Sequence, residues 1–224
     1  MRLTIVEPSF EIITPLGVEQ LKFLELCARV CYKSEERITD NSASKLVRRL
    51  RESKHESILE HVSATVRIIG SRSMSHQLVR HRIGVAYAQE SQRFCNYGKK
   101  GFQFICPPAI GLPAGTYGYP YQKNLTDQQL YWLACRINEC CEYMELIEGG
   151  VRPEDARECL PNAIKTEVMT TCNLRAWRHM FSERALNPHA QWQIRNIMCG
   201  ILCKFGEMLP EVFGDQLLDY EKGL

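Results

Sequence analysis

Between residues 17 and 32 the apolar positions Leu21, Phe23, Leu24, Cys27, Ala28 and Cys31 group on one side of a helical period, which predicts an amphipathic helix. Ahead of it, Leu3 to Val6 reads as a short strand and Glu11 to Thr14 as a second. Asn41-Ser42 offers a cap for a helix carrying Leu46, Val47 and Leu50 inward, with Arg48, Arg49 and Arg51 on a solvated outer face. The pattern then switches to strict alternation. Val62, Ala64, Val66 and Ile68 share one face from His61 to Ile69, the pattern of a half-buried strand. A helix is expected from Ser73 to about Arg82, followed by a polar, aperiodic loop from Gly84 to Gly98.

Phe102 to Ile105 is a further strand, closed by Pro107-Pro108. The Gly- and Pro-rich stretch 109–124 predicts a loop or lid. Thr126-Asp127-Gln128-Gln129 is a capping box for a helix bearing Leu130, Leu133, Ala134, Ile137, Cys141, Met144 and Ile147, stopped by Gly149-Gly150. Pro153 suits the first turn of a short helix that ends before Pro161. Ala163 to Cys172 reads as a strand, Asn173 as the cap of a helix to about Arg184, and Asn187-Pro188 as the cap of a last long helix. That helix would turn Trp192, Ile197, Ile201, Phe205 and Met208 inward. Strands and helices mix without βαβ alternation, so the expected class is α+β.

Composition narrows the function classes. Lys+Arg exceed Asp+Glu by only two charges, so a broad nucleic-acid-binding surface is not expected and any basic function is local. No run approaches the ~20 apolar residues of a membrane span, and Met1 to Glu7 lacks a signal-peptide pattern; both point to a cytoplasmic protein. The eleven cysteines include no Cys-x-x-Cys pair and read as reduced thiols buried as small hydrophobes.

Candidate chemistry concentrates in three places. Arg80-His81-Arg82 sets three cations or potential cations in a row, suited either to a solvated helix end or to an anion gripped by guanidinium forks. Gln89-Glu90-Ser91-Gln92-Arg93 follows closely, with hydroxyl, amide and guanidinium groups fit to surround a phosphate and a base edge. Downstream lie Arg157, then Arg175, Arg178 and His179, which can share a helix face, then Arg184 and His189-Ala190-Gln191-Trp192. His55 and His61 could in principle ligate metal, but no set of further ligands completes a site, and none is expected. The glycine-rich phosphate loop, the dinucleotide fingerprint and the Gly-x-Ser-x-Gly elbow are all missing, so a nucleotide must be held mainly by side chains.

These residues resemble the flavin-dependent thymidylate synthases. The family hallmark is Arg-His-Arg, seven residues, then Ser-x-Arg; here Arg80-His81-Arg82 is followed by eight residues and Ser91-Gln92-Arg93. The resemblance extends over Ala28-Arg29-Val30-Cys31-Tyr32, His55-Glu56-Ser57, Gln77, Ala156-Arg157 with Leu160-Pro161, Asn173-x-Arg175, Arg184 and His189-Ala190-Gln191-Trp192, in family order across nearly the whole chain. It implies one α+β catalytic domain over residues 1–224, helices around a central, largely antiparallel sheet, and a homotetramer with FAD at shared subunit surfaces. It implies reductive methylation of dUMP to dTMP, with methylenetetrahydrofolate as one-carbon donor, NADPH as the reductant of the flavin, and no cysteine nucleophile. Carried over position by position, His55, Ser57, Arg80, His81, Arg82, Ile83, Asn173, Arg175, His179 and His189 would contact FAD. Gln77, Arg80, Gln89, Glu90, Ser91, Gln92, Arg93, Arg157 and Arg184 would hold dUMP, and Arg184 would also polarise the uracil.

The chain departs from the family pattern at named positions. The extra residue before Ser91 leaves Gln89 and Glu90 competing for one family position. Val85, Ala86, Tyr87 and Ala88 replace polar residues, His179 stands where Asn is common, and His189 follows Arg184 by five positions where four is usual. A nucleic-acid-binding module and a flavin-free nucleotide-modifying enzyme are the rival readings.

Overall fold

The structure is a computed structural model that describes residues 1–121 and 124–223. Its strands are β1 (Arg2–Ile5), β2 (Ser9–Ile12), β3 (Ser63–Ser71), β4 (Val85–Gln89), β5 (Phe102–Phe104), β6 (Gly115–Gly118) and β7 (Lys165–Asn173). Its α-helices are α1 (Val18–Val30), α2 (Ser42–Glu52), α3 (Arg72–Leu78), α4 (Tyr97–Lys100), α5 (Asp127–Glu148), α6 (Pro153–Ala156), α7 (Leu174–Phe181), α8 (Trp192–Met208) and α9 (Pro210–Lys222). The class is α+β, as expected. The chain folds into two compact units, one comprising Met1–Ser9, Ile69–His76 and Gln89–Val168, the other Phe10–Ile68, Gln77–Ala88 and Met169–Leu224.

The first unit holds a three-stranded sheet in the order β5-β1-β6, in which β1 runs parallel to β5 and antiparallel to β6. Leu3, Ile5, Phe102 and Phe104 point from it into a core with Tyr117, Leu133 and Tyr143. β6 lies inside the segment expected to be a loop or lid. The Gly-rich composition that suggested a loop serves close packing instead: a Cβ at Gly118 would lie 2.8 Å from Arg2 Cγ and 2.9 Å from the Met1 carbonyl oxygen. Residues 122 and 123 of that stretch lie outside the described residues. The capping box of α5 forms as expected: Thr126 Oγ1 accepts from the Gln129 amide and Gln129 Oε1 from that of Thr126. The buried face of α5 is Leu133, Cys140 and Tyr143, rotated from the expected stripe.

A second sheet has the order β2-β3-β7-β4. In the second unit Trp177, Phe181, Phe205 and Phe213 pack ring against ring, and Trp177 Nε1 donates to the Ala64 carbonyl oxygen at 3.1 Å. Asn173 caps α7 as expected, its Oδ1 accepting from the Ala176 amide at 2.8 Å. α7 gives way at Phe181 to a π-helical turn, Ser182–Leu186.

Several expected elements shift. β2 begins and ends two residues early, at Ser9–Ile12. α1 buries Leu21, Leu24, Glu25 and Ala28, while Phe23 and Cys31 are exposed, because Glu25 turns inward to hold Arg29 at 2.8 Å and accept from the Ser42 hydroxyl. Arg51, read as solvated, is largely covered and paired with Asp215 and Glu52. The last long helix is two: Leu209 leaves helical geometry and Pro210 starts α9. Gln191 caps α8, its side chain accepting from Gln193 and Ile194, whereas Asn187 closes a turn onto the His189 amide. Trp192 and Met208 are only half-buried. All eleven cysteines are reduced, but only Cys140, Cys172 and Cys199 are buried. Burial pushes the Cys140 thiol up to about 12 and raises those of Cys172 and Cys199 as well.

Candidate active site

α3 ends at Leu78, four residues short of the expected Arg82, and the chain turns before entering β4. That turn carries Arg80-His81-Arg82. The Arg80 and His81 amides donate back to the carbonyls of Gln77 and Leu78. Tyr87, from β4, lies with its hydroxyl 2.7 Å from the Leu78 carbonyl oxygen and 2.8 Å from that of His81. Burial raises the Tyr87 pKa, so the hydroxyl keeps its proton and stays a donor to the turn. The first part of the segment read as an aperiodic loop, Val85–Gln89, is therefore a strand: its half-buried positions Val85 and Tyr87 alternate with exposed Ala86 and Ala88. Gly84, at φ +68°, makes the left-handed step into it.

A hollow of about 600 Å³ opens beside this turn, all within the second unit. Arg80, Arg82 and Arg175 line it with the Asn173 side chain, Glu60, His81 and His179; Ile83, Val85, Ala176 and Met180 supply its apolar surface. Among the described residues, neither the Arg80 nor the Arg82 side chain has an ion pair or hydrogen bond. Arg175 is paired with Glu60 at 2.5 Å. Since Asn173 Oδ1 is used by the helix cap, its amide nitrogen is the group left to donate. The hollow thus combines cationic forks, an amide donor and an apolar floor, a donor set that fits a large, planar, phosphate-bearing group.

Arg184 projects from the π-helical turn, and its Nε donates to His81 Nε2 at 3.0 Å. The His81 and His179 rings meet edge to face, with centroids 5.8 Å apart. Burial, then the charges of Arg184 and His179, depress the His81 pKa to about 4 against a weaker upward pull from Glu183. His81 is thus neutral at physiological pH. Arg178, on the same helix as Arg175 and His179, is otherwise employed. It is buried, holds Asp215 through two bonds of 2.8 Å, Glu56 at 3.1 Å and the Val212 carbonyl oxygen.

The candidates Gln89 to Arg93 and Arg157 form a second group, in the first unit, whereas Gln77 belongs to the second. Gln89 Nε2 donates to the Ser75 and Thr166 hydroxyls at 2.9 and 3.1 Å. Glu90 accepts from Lys165 Nζ at 3.1 Å. Both positions that competed in the sequence are thus fixed in different ways, one by hydroxyls and one by an ion pair. Ser91 Oγ accepts from the Arg93 amide. Glu154 gathers arginines: its carboxylate pairs with Arg93 at 3.2 Å and Arg152 at 2.8 Å, and its carbonyl oxygen accepts from Arg157 Nε at 3.0 Å. Gln92 and Gln77 are half-buried with no side-chain hydrogen bond among the described residues.

Of the FAD candidates, Arg80, His81, Arg82, Ile83, Asn173, Arg175 and His179 meet at the hollow; His55, Ser57 and His189 are exposed and do not line it. Glu60, Tyr87, Glu154 and Asp215 escaped the sequence reading in these roles. Among the described residues, no group of three His, Cys, Asp or Glu could hold a metal ion. Cys95, the one thiol in the signature region, accepts from Lys100 Nζ at 3.4 Å.

The fold and the hollow define an α+β protein with side-chain forks in place of a glycine-rich phosphate loop. The family profile described as "Thymidylate synthase complementing protein" matches residues 18–211. The chain is 33% identical over 198 residues to a flavin-dependent thymidylate synthase of Geobacter sulfurreducens, covering 85% of this chain and 79% of that one. It is 39% identical over 170 residues to the enzyme of the same name from Pyrococcus furiosus, covering 74% of this chain and 63% of that one. A solved structure of a UMP/dUMP methylase, PolB from Streptomyces cacaoi bound with 5-Br UMP, is similar with a TM-score of 0.73 at 25% identity, covering 96% of both chains. The chain belongs to the flavin-dependent thymidylate synthase family.

Proposed function

We propose that this protein methylates dUMP to dTMP, taking the carbon from methylenetetrahydrofolate and the reducing equivalents from NADPH through bound FAD, with residues 1–224 acting as one catalytic domain in a homotetramer. The observation that carries the reading is the hollow lined by Arg80 and Arg82, unpaired among the described residues, next to the Arg184–His81 contact. FAD fits it by chemistry. Arg80, Arg82 and Arg175 suit its pyrophosphate, the Asn173 amide suits a ring or ribose acceptor, and Ile83, Val85, Ala176 and Met180 suit an apolar ring face. His81 and His179 complete that contact set; His55, Ser57 and His189 keep the FAD contacts that the family pattern gives them.

Bound flavin supplies the hydride. The protein's own work is to bind and polarise. Ser91, Arg93 and Arg157 take the dUMP phosphate, the arginines turning to it from Glu154. Gln77, Arg80, Gln89, Glu90 and Gln92 border the nucleoside. Arg184 stands by the uracil N3/O2 edge, where a charge that cannot be lost favours the ionised ring and so raises electron density at C5. No thiolate attack is required, and the buried thiols Cys140, Cys172 and Cys199 hold their protons.

The test is product analysis. Purified protein loaded with FAD is given NADPH and methylenetetrahydrofolate with dUMP or with UMP, the second because of the UMP/dUMP methylase likeness. The reading expects flavin absorbance, NADPH oxidation coupled to nucleotide, and dTMP from dUMP. Failure to take up FAD, or NADPH oxidation without any methylated nucleotide, would overturn it.

A further inference from the structure

The chemistry assigned to Arg184 demands a fixed guanidinium, yet Arg184 is a long side chain on a π-helical turn. Among the described residues its single side-chain tether is His81 Nε2. A guanidinium nitrogen only donates, so Nε2 is the acceptor and any ring proton sits on Nδ1. His81 is itself held. Its carbonyl oxygen accepts from Tyr87, and its ring lies edge-on to His179. The Arg184 bond uses Nε and leaves both terminal nitrogens without a hydrogen-bond or ion-pair partner among the described residues.

We infer that His81 is the positioning residue for Arg184: the Nε2 lone pair fixes the guanidinium by its Nε edge so that the terminal fork faces the pyrimidine. This rests on the reading of Arg184 as the group that polarises uracil. It assigns the middle residue of Arg-His-Arg a task apart from the FAD contact given to it above. The surroundings preserve that task. Burial, then the charges of Arg184 and His179, oppose a proton on His81, and Glu183 is the charged group that favours one. A protonated ring would present N–H to N–H and release the arginine.

The experiment compares flavin-loaded wild type with His81→Gln, His81→Leu, His81→Phe and Arg184→Ala, all normalised to bound flavin. A glutamine carbonyl reaches about where Nε2 lies; leucine and phenylalanine fill space without accepting. Two readouts are taken. One is single-turnover dTMP formation. The other is the affinity of the oxidised enzyme for 5-bromo-dUMP relative to dUMP, followed by the change in flavin absorbance. Bromine at C5 acidifies the N3 proton, so the ratio reports how well the site stabilises an ionised uracil. His81→Leu and His81→Phe are expected to lower the rate on the order of 10²-fold, as ~1 Å misplacements do, and to erase the preference for the bromo compound, while His81→Gln retains most of both. Phenylalanine restoring what leucine loses would make His81 a packing residue and overturn the inference, as would Arg184→Ala impairing both readouts while His81→Leu leaves them intact. Arg184→Ala leaving both readouts intact would instead overturn the reading on which the inference stands.

Discussion

Arg178 and Arg82 are the same residue type, both near residues the family pattern singles out, and the structure employs them in opposite ways. Arg178 is 7% exposed, and its guanidinium is occupied by Asp215, Glu56 and the Val212 carbonyl. Burial opposes ionisation of Asp215, yet the bonds and charge of Arg178, with the charge of Arg51, more than offset it and hold the carboxyl below its usual range. Arg82 is exposed, lines the hollow, and has no such partner among the described residues. A cation whose donors are all satisfied holds the fold together; one left idle beside an apolar hollow is available to a ligand. The distinction separates structural from functional arginines where residue type and spacing do not.

The comparison can be broken from the structural side first, where the expected effect is largest. Arg178→Ala leaves Glu56 without its counter-charge and Asp215 with Arg51 alone, and breaking a buried ion pair costs about 3–5 kcal/mol, the low end applying where a carboxylate is partly exposed. Urea denaturation should show a loss of that size; less than about 1 kcal/mol would place Arg178 among the idle cations. Arg82→Ala should leave the urea midpoint close to wild type. Its cost falls on the cofactor, about 1.5–3 kcal/mol in FAD affinity, the worth of a hydrogen bond to a charged group. Titration of the flavin-free protein with FAD measures it, and unchanged affinity would remove Arg82 from the site.

A smaller effect sharpens the comparison through pH. His81 has a folded pKa of about 4, below its unfolded value of 6.5. Between those values the unfolded chain binds the extra proton, so stability falls as pH drops through this window and is flat above it. Burial sets the sign, the charges of Arg184 and His179 add to it, and Glu183 opposes it. His81→Gln should flatten the decline in melting temperature between pH 6.5 and 4. An identical decline in both proteins would show that His81 is not depressed.

Much of this was legible in the sequence because it rests on local rules. The capping box at Thr126, the Asn173 cap and the alternation through β3 depend on neighbours within a turn or a pleat, and each formed as read. The Arg80–Arg82 motif and Asn173, Arg175 and His179, far apart in the chain, were singled out in the sequence and line one hollow in the structure. What escaped depends on distant partners. β6 is a strand because β1 pairs with it, and its glycines alone suggest a turn. β4 hides behind polar neighbours, and its reason is that Tyr87 reaches back to the preceding turn. Glu154 and Asp215 carry no signal in the sequence; the arginines they hold appear free until the chain folds.

The central claim is that uracil is activated by the charge of Arg184 and not by a thiolate. Single-turnover dTMP formation, from pre-reduced FAD-loaded protein at saturating dUMP with methylenetetrahydrofolate, tests it in wild type, Arg184→Ala and Cys95→Ser. The account predicts a fall of about 10²- to 10³-fold for Arg184→Ala, the usual cost of one preorganised charge contact, with FAD still bound and still reducible by NADPH. It predicts near-normal turnover for Cys95→Ser, although Cys95 touches Lys100. Near-normal turnover in Arg184→Ala, or a comparable loss in a folded Cys95→Ser protein, would contradict it.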